Sequence, residues 1–502
     1  MLKQKFIVHF GSNFMITVLT MMAGLVVARV AGPQVVGIIS YGTSYVGIWL
    51  FITGLFGSGH IKLISEGQDI GHCMRAYSRL FWGSLCVYII AVSGFYLVQK
   101  YLLHVGFESR SQEIVIVLSL FIAVFNKFYE YASTTFTATM EQAKANLPEF
   151  LKSIILQFGR IVVVLLGFKA IGLSAWNAFI TFLFLPIVFK LLKKYPPTAW
   201  NRSLFNKYIA FSVPILLIVV INSIVQYSDK LLLAHYTSTT ELGYYSAANS
   251  FGGLIMLAST SIGNIFFPLF SSLLARKDWG AVRQKIMQYQ EMLALFVFPF
   301  VCALLIISRP MLTTVLGMKY GPSVEPFMII SLATYIMIVG MPYGNIITGS
   351  GRFYLHAGIN LIKLVVFLLS ITLFVSPRFL GLGAIGVALN LLVVNILCNY
   401  FWLFFARRLS GLTFYQGRNI ARYVLASAIA IALYGIRDDL AYWFSLWWIV
   451  AVPVYLASVY GLMWIMGLVT KKQFEIFTEI FNLKKVVRYI QNELCENTGK
   501  NE

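Results

Sequence analysis

Residues 10–30 read FGSNFMITVLTMMAGLVVARV, an apolar run with no charge before Arg29. A helix needs about 20 mainly apolar residues to cross the hydrocarbon core of a bilayer, and this run supplies them. Lys3 and Lys5 in front of it imitate the basic start of a secretory leader. A leader's apolar region is about 7–15 residues and closes on a small-residue cleavage site. Here the run continues to Val30 without such a site, so it is expected to be a retained first membrane helix.

Carried outward along the 502 residues, the same ruler marks about fourteen segments. Those of the first half are 10–30, 38–58, 80–99, 113–134, 150–168 and 173–192. The second half gives 208–234, 245–270, 290–308, 327–347, 356–376 and 384–406, followed by 420–436 and 443–468. Segments 150–168 and 420–436 stand out least as spans. Composition agrees: 59% of residues are apolar and 12% charged, with a mean hydropathy of +0.79. A soluble protein carries about 25% charged residues. A soluble enzyme, a disordered chain and a nucleic-acid binder are therefore excluded.

The net charge of +20 has a topological reading. With the N-terminus in the cytoplasm, roughly 25 Lys and Arg fall on the inner side and roughly 9 on the outer side, as the positive-inside rule requires. Both termini are then cytoplasmic and the helix count is even. Five cysteines (73, 86, 302, 398, 495) and six histidines are scattered, so neither a disulfide framework nor a metal site is expected, and no cofactor. No GxSxG, HExxH or Walker sequence occurs, and no external loop is large enough to hold a catalytic domain. The chain is not read as an enzyme.

Internal similarity refines the architecture. Val36-Gly37-Ile38-Ile39-Ser40 resembles Leu242-Gly243-Tyr244-Tyr245-Ser246 at a spacing of 206. Ala143, Asn146 and Leu147 recur as Ala357, Asn360 and Leu361, and Ala170-Ile171-Gly172 as Ala384-Ile385-Gly386, both at 214. Each pair occupies the same point in a six-helix set. Six is even, so the two sets run parallel about an axis along the membrane normal. The expected fold is all-α and polytopic, with two parallel six-helix repeats around a central cavity plus two C-terminal helices. The domains are 1–200 and 201–410 for the two bundles, 411–470 for the extra helices, and 471–502 for a cytoplasmic tail. In that tail Ile476, Ile480, Leu483, Val487 and Ile490 line one face of an amphipathic helix with Lys484, Lys485 and Arg488 nearby.

Certain short stretches carry a family resemblance. Ala28-Arg29-Val30-Ala31-Gly32-Pro33, followed by Val36-Gly37 and Ser40-Tyr41, resembles the first-loop signature of polysaccharide and oligosaccharide flippases. These are the Wzx-like members of the multidrug/oligosaccharidyl-lipid/polysaccharide exporter superfamily. Ser228-Asp229-Lys230-Leu231-Leu232-Leu233, with Leu242-Gly243-Tyr244-Tyr245, is similar to their seventh-helix signature. Gly317 with Tyr320, Gly349-Ser350-Gly351-Arg352 and Gly381-Leu382-Gly383-Ala384-Ile385-Gly386 fit as well. The resemblance spans roughly residues 1–410. It implies outward flipping of an undecaprenyl-pyrophosphate-linked oligosaccharide by alternating access, in a bacterial cytoplasmic membrane, for surface polysaccharide such as O-antigen or exopolysaccharide. The implied partners are that lipid-linked anionic glycan, membrane lipids and the polymerase and glycosyltransferase machinery; nucleic acid is not among them. The first copy lacks the Asp-Lys pair of the second, so those two residues have no symmetric role.

Charges inside spans cost about 2.5–3.5 kcal/mol each on insertion scales and therefore face a cavity or a partner. Lys127, Glu130 and Thr134 share one helical stripe; Ser153, Gln157 and Arg160 share another; Asn360, Lys363 and Ser370 a third. Asn13, Thr17 and Thr20 line the first helix, and Asn222, Gln226 and Asp229 the seventh. The candidate substrate-binding residues are Arg29, Lys127, Glu130, Arg160, Asn222, Gln226, Asp229 and Lys363. Bland readings stand beside this one. Lys127 and Glu130 one turn apart form a structural pair, Arg160 captures carbonyls, Lys363 snorkels, Arg29 anchors at the interface, and Asp229-Lys230 is a helix-end contact. A cation-coupled multidrug antiporter is the competing function, and a non-transporting scaffold a third.

Overall fold

The computed structural model describes residues 2–104, 106–253, 255, 273–274, 276, 278–411, 417–437 and 447–469. All regular structure among them is helical. In hydrocarbon every backbone N–H and C=O must be satisfied within its own segment, which long apolar helices achieve. Among the described residues nine helices are long and apolar enough to cross a membrane, and one bent pair qualifies jointly. The chain is a multi-pass all-α membrane protein.

The fourteen expected spans are not all of this kind. Segment 10–30 lies in one helix, α1 (Leu2–Ala31), whose apolar part is Met15–Ala31. Segment 150–168 lies in α7 (Gln142–Leu165), a helix that Lys144, Glu149, Lys152 and Arg160 make too polar for a plain span. Segment 420–436 is likewise a helix, made more polar by Arg418, Asn419 and Arg422. Most of 245–270, together with Pro268, Trp443 and the amphipathic tail, lies outside the described residues.

The chain divides into two compact units, Met1–Ser246 and Ala247–Glu502. In the first, α1 turns through Gly32 (φ +83°) directly into α2 (Pro33–Gly47). Only glycine adopts that φ cheaply, and proline's fixed φ suits a first helical position. The span expected at 38–58 is bent. The chain bends by 50° between α2 and the arm Phe51–Ser65, which holds α3 (Phe51–Gly54) and α4 (Gly57–Ser65). The bend starts at Gly47, against which the Tyr227 ring packs so closely that a Cβ would lie 2.5 Å from it. Gly54, Gly57 and Gly59 weaken the helix beyond, since glycine costs about 1 kcal/mol relative to alanine.

The unit continues with α5 (Ile70–Leu97), α6 (Arg110–Ala138), α7, α8 (Ala170–Leu183), α9 (Leu185–Leu192), α10 (Arg202–Tyr236) and the first turns of α11 (239–253). Asp69, Ser109, Asn201 and Ser238 cap α5, α6, α10 and α11 by accepting from the amide three residues on. The unit boundary by compactness falls one helix beyond the bundle boundary drawn from the repeat at 200. Helix α10 packs on α2, α4 and α5. The Tyr208 hydroxyl lies 2.7 Å from His60 Nδ1, and Ser212 donates to the Leu55 carbonyl at 3.2 Å.

The second unit holds α12 (Trp279–Met292), α13 (Phe298–Ile306), α14 (Ser308–Leu316), α15 (Val324–Gly349), α16 (Phe353–Val375), α17 (Gly383–Ser410), α18 (Gly417–Gly435) and α19 (Trp447–Ile465). Pro299 and Pro342 each remove a helical donor, releasing the carbonyls of Leu295 and Ile338. Both are recaptured, by Tyr460 Oη at 2.8 Å and Tyr289 Oη at 3.0 Å. On α17, Asn395 donates to the Ala333 carbonyl at 3.0 Å and Asn399 to that of Ile336, both on α15. Arg422 is fully buried at the start of α18. It binds Glu291 Oε1 at 3.1 Å, Asn419 Oδ1 at 2.7 Å and the Leu468 carbonyl at 2.6 Å. It thereby ties the end of the α19 segment to α12.

Candidate functional site

The first unit holds a half-open cavity of about 510 Å³ between α1, α6, α7, α8 and α9. Helix α7 forms its longest wall, from Lys144 to Gln157, which at 1.5 Å per residue is about 20 Å. The helices around it are apolar outward, while the lining carries Glu130, Lys144, Glu149 and Lys152 among amides and hydroxyls. Charge inside a bundle of spanning helices needs a partner or water. Lys152, only 4% exposed, donates to Glu149 Oε1 at 2.8 Å and Asn126 Oδ1 at 3.1 Å. Its ammonium also sits 4.2 Å above the Tyr129 ring. Glu130 accepts from Lys127 at 2.6 Å. Gln157 bridges helices: its Nε2 donates to Thr20 of α1 at 3.0 Å, and its Oε1 accepts from Arg160 at 3.0 Å.

At the α6–α7 turn, Glu141 binds Lys144 at 2.9 Å, Lys194, and the Tyr195 hydroxyl at 3.0 Å. Partial burial alone would raise its carboxyl, but the Lys194, Lys144 and Tyr195 donors together bring it down to about 2.

A second construction lies in the same unit, where the repeated motif meets its own copy. A Cβ on Gly37 would collide with the Thr239 carbonyl, and a Cβ on Gly243 with the Pro33 carbonyl. The two contacts interchange under the spacing of 206 residues found in the sequence. Ser246 Oγ donates to Ser40 Oγ at 2.8 Å, the same spacing again. Helix α2 and the first turns of α11 thus cross at backbone contact about a local two-fold, which only glycine permits. Glu108 Oε2 accepts from the Thr239 amide at 2.7 Å, and Asp229 Oδ2 from Tyr245 Oη at 2.8 Å.

The candidate residues divide accordingly. Lys127, Glu130 and Arg160 come together around the cavity, Glu130 in its wall and the other two one bond behind it. Asn222, Gln226 and Asp229 share one stretch of α10 away from it; Asn222 and Gln226 are exposed, and Asp229 joins α10 to α11. Arg29 ends α1, exposed. Lys363, half-buried on α16, belongs to the second unit. Among the described residues no carboxylate pairs with Arg160 or Lys363. The sequence reading missed Glu149 and Lys152, although their spacing of three is the same as that of Lys127 and Glu130. It also missed the Arg422–Glu291 pair, whose members are 131 residues apart.

Comparison with known proteins places this geometry. A family model described as polysaccharide biosynthesis protein matches residues 26–325. The teichuronic acid biosynthesis protein TuaB of Bacillus subtilis (strain 168) is 21% identical over 214 residues, which is 41% of this chain. The match spans 42% of that relative's length, less than half of it. Among solved structures, the lipid II flippase MurJ in an inward closed conformation superposes with a TM-score of 0.68 at 15% identity, over 92% of this chain and 99% of that one. An inward-facing multidrug resistance transporter of the MATE family, in the MOP superfamily, gives 0.64 at 13% identity, over 81% and 98%. At these identities the likeness is one of fold.

Proposed function

The chain belongs to the polysaccharide biosynthesis protein family, and we propose that it is a flippase moving an undecaprenyl-pyrophosphate-linked oligosaccharide from the cytoplasmic to the outer leaflet. The observation that carries this reading is the polar, ion-paired cavity inside a bundle that includes the spanning helices α6 and α8–α9. A purely structural bundle gains little from it, because a buried charge such as Lys152 is expensive. The protein works in the bacterial cytoplasmic membrane with both termini inside. It acts as a carrier and makes or breaks no bond in its cargo.

Arg160 grips the diphosphate, since no carboxylate among the described residues neutralises it and a planar guanidinium forks onto phosphate oxygens; Lys363 is a second cation without a carboxylate partner among the described residues, in the other unit. Arg29, Lys127, Glu130, Asn222, Gln226 and Asp229 complete the polar path. Alternating access closes the outer side where α2 crosses α11 and reopens it by parting them. An anion leaving a negative interior moves downhill by about 2.3 kcal/mol per charge per 100 mV, so the membrane potential suffices without a coupled ion.

A deletion strain tests the function. Lipid-linked glycan is expected to accumulate on the cytoplasmic leaflet, with surface polysaccharide lost. The intact gene restores it and an Arg160→Ala/Lys363→Ala double variant does not. A cation-coupled antiporter is the second reading, favoured by the carboxylates of Glu130 and Glu149 in the cavity wall; unchanged surface glycan with greater sensitivity to cationic drugs would select it. The gate has its own test. A Ser40→Cys/Ser246→Cys pair should crosslink under mild oxidation and stop flipping, and reductant should restore it. Full flipping by the crosslinked protein would remove this crossing from the transport cycle.

A further inference from the structure

We infer that the cavity of the first unit is a subsite for the uncharged sugars of the cargo and excludes its diphosphate; this rests on the flippase reading. Charge balance is the first argument. The lining contains two carboxylates, Glu130 and Glu149, and two ammonium groups, Lys144 and Lys152. Each is already joined to an opposite charge: Glu130 to Lys127 at 2.6 Å, Glu149 to Lys152 at 2.8 Å, and Lys144 to Glu141 at 2.9 Å. An anion entering here meets no net positive charge and faces two carboxylates.

The chemistry of the remaining wall is the second. Asn126, Ser133, Ser153, Gln157 and Asn177 each offer both a donor and an acceptor. Sugar hydroxyls are themselves both donors and acceptors, so this lining matches them without any charge. The salt bridges serve it by fixing orientation: Lys152 holds the Asn126 carbonyl oxygen, which turns that amide's N–H₂ toward other partners. Size is the third. About 510 Å³ lies within the range of small-molecule sites, about 300–1,000 Å³, and far below a whole lipid-linked oligosaccharide. The cavity therefore takes part of the glycan. Arg160 stands one helical turn past Gln157, at the cavity's far end, and is bonded to it. The diphosphate belongs there, beside the cavity.

The ligand for the test is the oligosaccharide released by mild acid from the lipid-linked precursor of the deletion strain, which carries no phosphate. It is titrated calorimetrically into the purified full-length protein. Wild type is expected to bind it, excess inorganic pyrophosphate not to displace it, and Ser133→Val and Asn177→Leu each to weaken it at least tenfold. Displacement by pyrophosphate, equal binding by wild type and both variants, or no binding overturns the subsite. The pyrophosphate competition uses wild type alone, so it decides even if a variant fails to fold. If no lipid-linked precursor accumulates in the deletion strain, it is the flippase reading that has failed. If it accumulates and its glycan does not bind, only the subsite has.

Discussion

Two buried cations, one in each unit, show how differently a membrane helix can use the same charge. Lys152 is 4% exposed and Arg422 is fully buried, and both pair with a glutamate, at 2.8 and 3.1 Å. Arg422 has no exposed surface, and its donors go to Glu291, Asn419 and the Leu468 carbonyl. Lys152 borders a cavity, and its partner Glu149 is 45% exposed. A charge with four of its five N–H groups on protein acceptors holds helices together. A charge beside open volume keeps its surroundings available to a ligand. Burial alone does not distinguish the two, and what lies on the charge's open side does.

The largest effect should come from the closed site. Arg422→Met removes the guanidinium from Glu291, Asn419 and the Leu468 carbonyl, and removing one member of a buried pair costs about 3–5 kcal/mol. A strongly lowered melting temperature is expected, with normal flipping per folded molecule. A variant that melts as wild type would mean that the α19 segment is held by its apolar contacts and that the comparison has no closed member.

Lys152→Met should behave in the opposite way. Glu149 is exposed enough to take water in place of the lysine, so the stability cost is about 1 kcal/mol, near that of one ordinary hydrogen bond. Transport should nevertheless fall about tenfold, a change of about 1.4 kcal/mol in a barrier, because Asn126 loses its orientation. Thermal melts and flipping rates on one preparation measure both. Severe destabilisation with unchanged transport would make the two cations alike.

How much of this the sequence showed follows the same division. The apolar runs were legible because a bilayer imposes a length, and the repeat because Val36–Ser40 recurs as Leu242–Ser246 at a fixed spacing. The stripe Lys127–Glu130 and the stripe Gln157–Arg160 led to the cavity because each interaction closes within one helical turn. Apart from the one-turn pair Glu149–Lys152, what escaped needed long-range closure. Gln157 meets Thr20 across 137 residues, and Arg422 meets Glu291 across 131. The two helices that read least clearly as spans, α7 and α18, carry the two most deeply buried cations, while the less buried Lys127 lies on α6. The polarity that weakened their signal is the polarity the protein uses. Lys152 and Arg422 both lay near the expected inner end of such a segment, where a basic residue reads as topology.

A matched pair of neutral substitutions extends the comparison at smaller amplitude. Tyr289→Phe frees the Ile338 carbonyl at the Pro342 break, inside solid packing, and should cost about 1–3 kcal/mol, the price of an unmet buried acceptor. Thr20→Val removes the partner of Gln157 at the cavity wall, where the amide has room to find another, and should cost about 0.5 kcal/mol or less. Denaturation of the two variants side by side checks the ordering, and equal costs would argue against the open-volume distinction.

The smallest effect is a dependence on pH, and it lies at the cavity's end. Glu141 is depressed to about 2 from an ordinary 4.5 by Lys194, Lys144 and Tyr195, against the opposing push of partial burial. A carboxyl whose folded value is lowered contributes stability that is fully present above its unfolded value and disappears as pH falls through the folded one. The melting-temperature difference between wild type and Glu141→Gln should therefore be constant down to about pH 4.5 and shrink steadily toward pH 2. Over that window Arg422 keeps its charge, since a guanidinium stays protonated. A difference that stays flat to pH 2 would show that the Glu141 pairings add nothing in solution. The rim of the cavity would then be held by packing, as the Arg422 site is held by its spent donors, and only the cavity's interior would remain on the open side of the comparison.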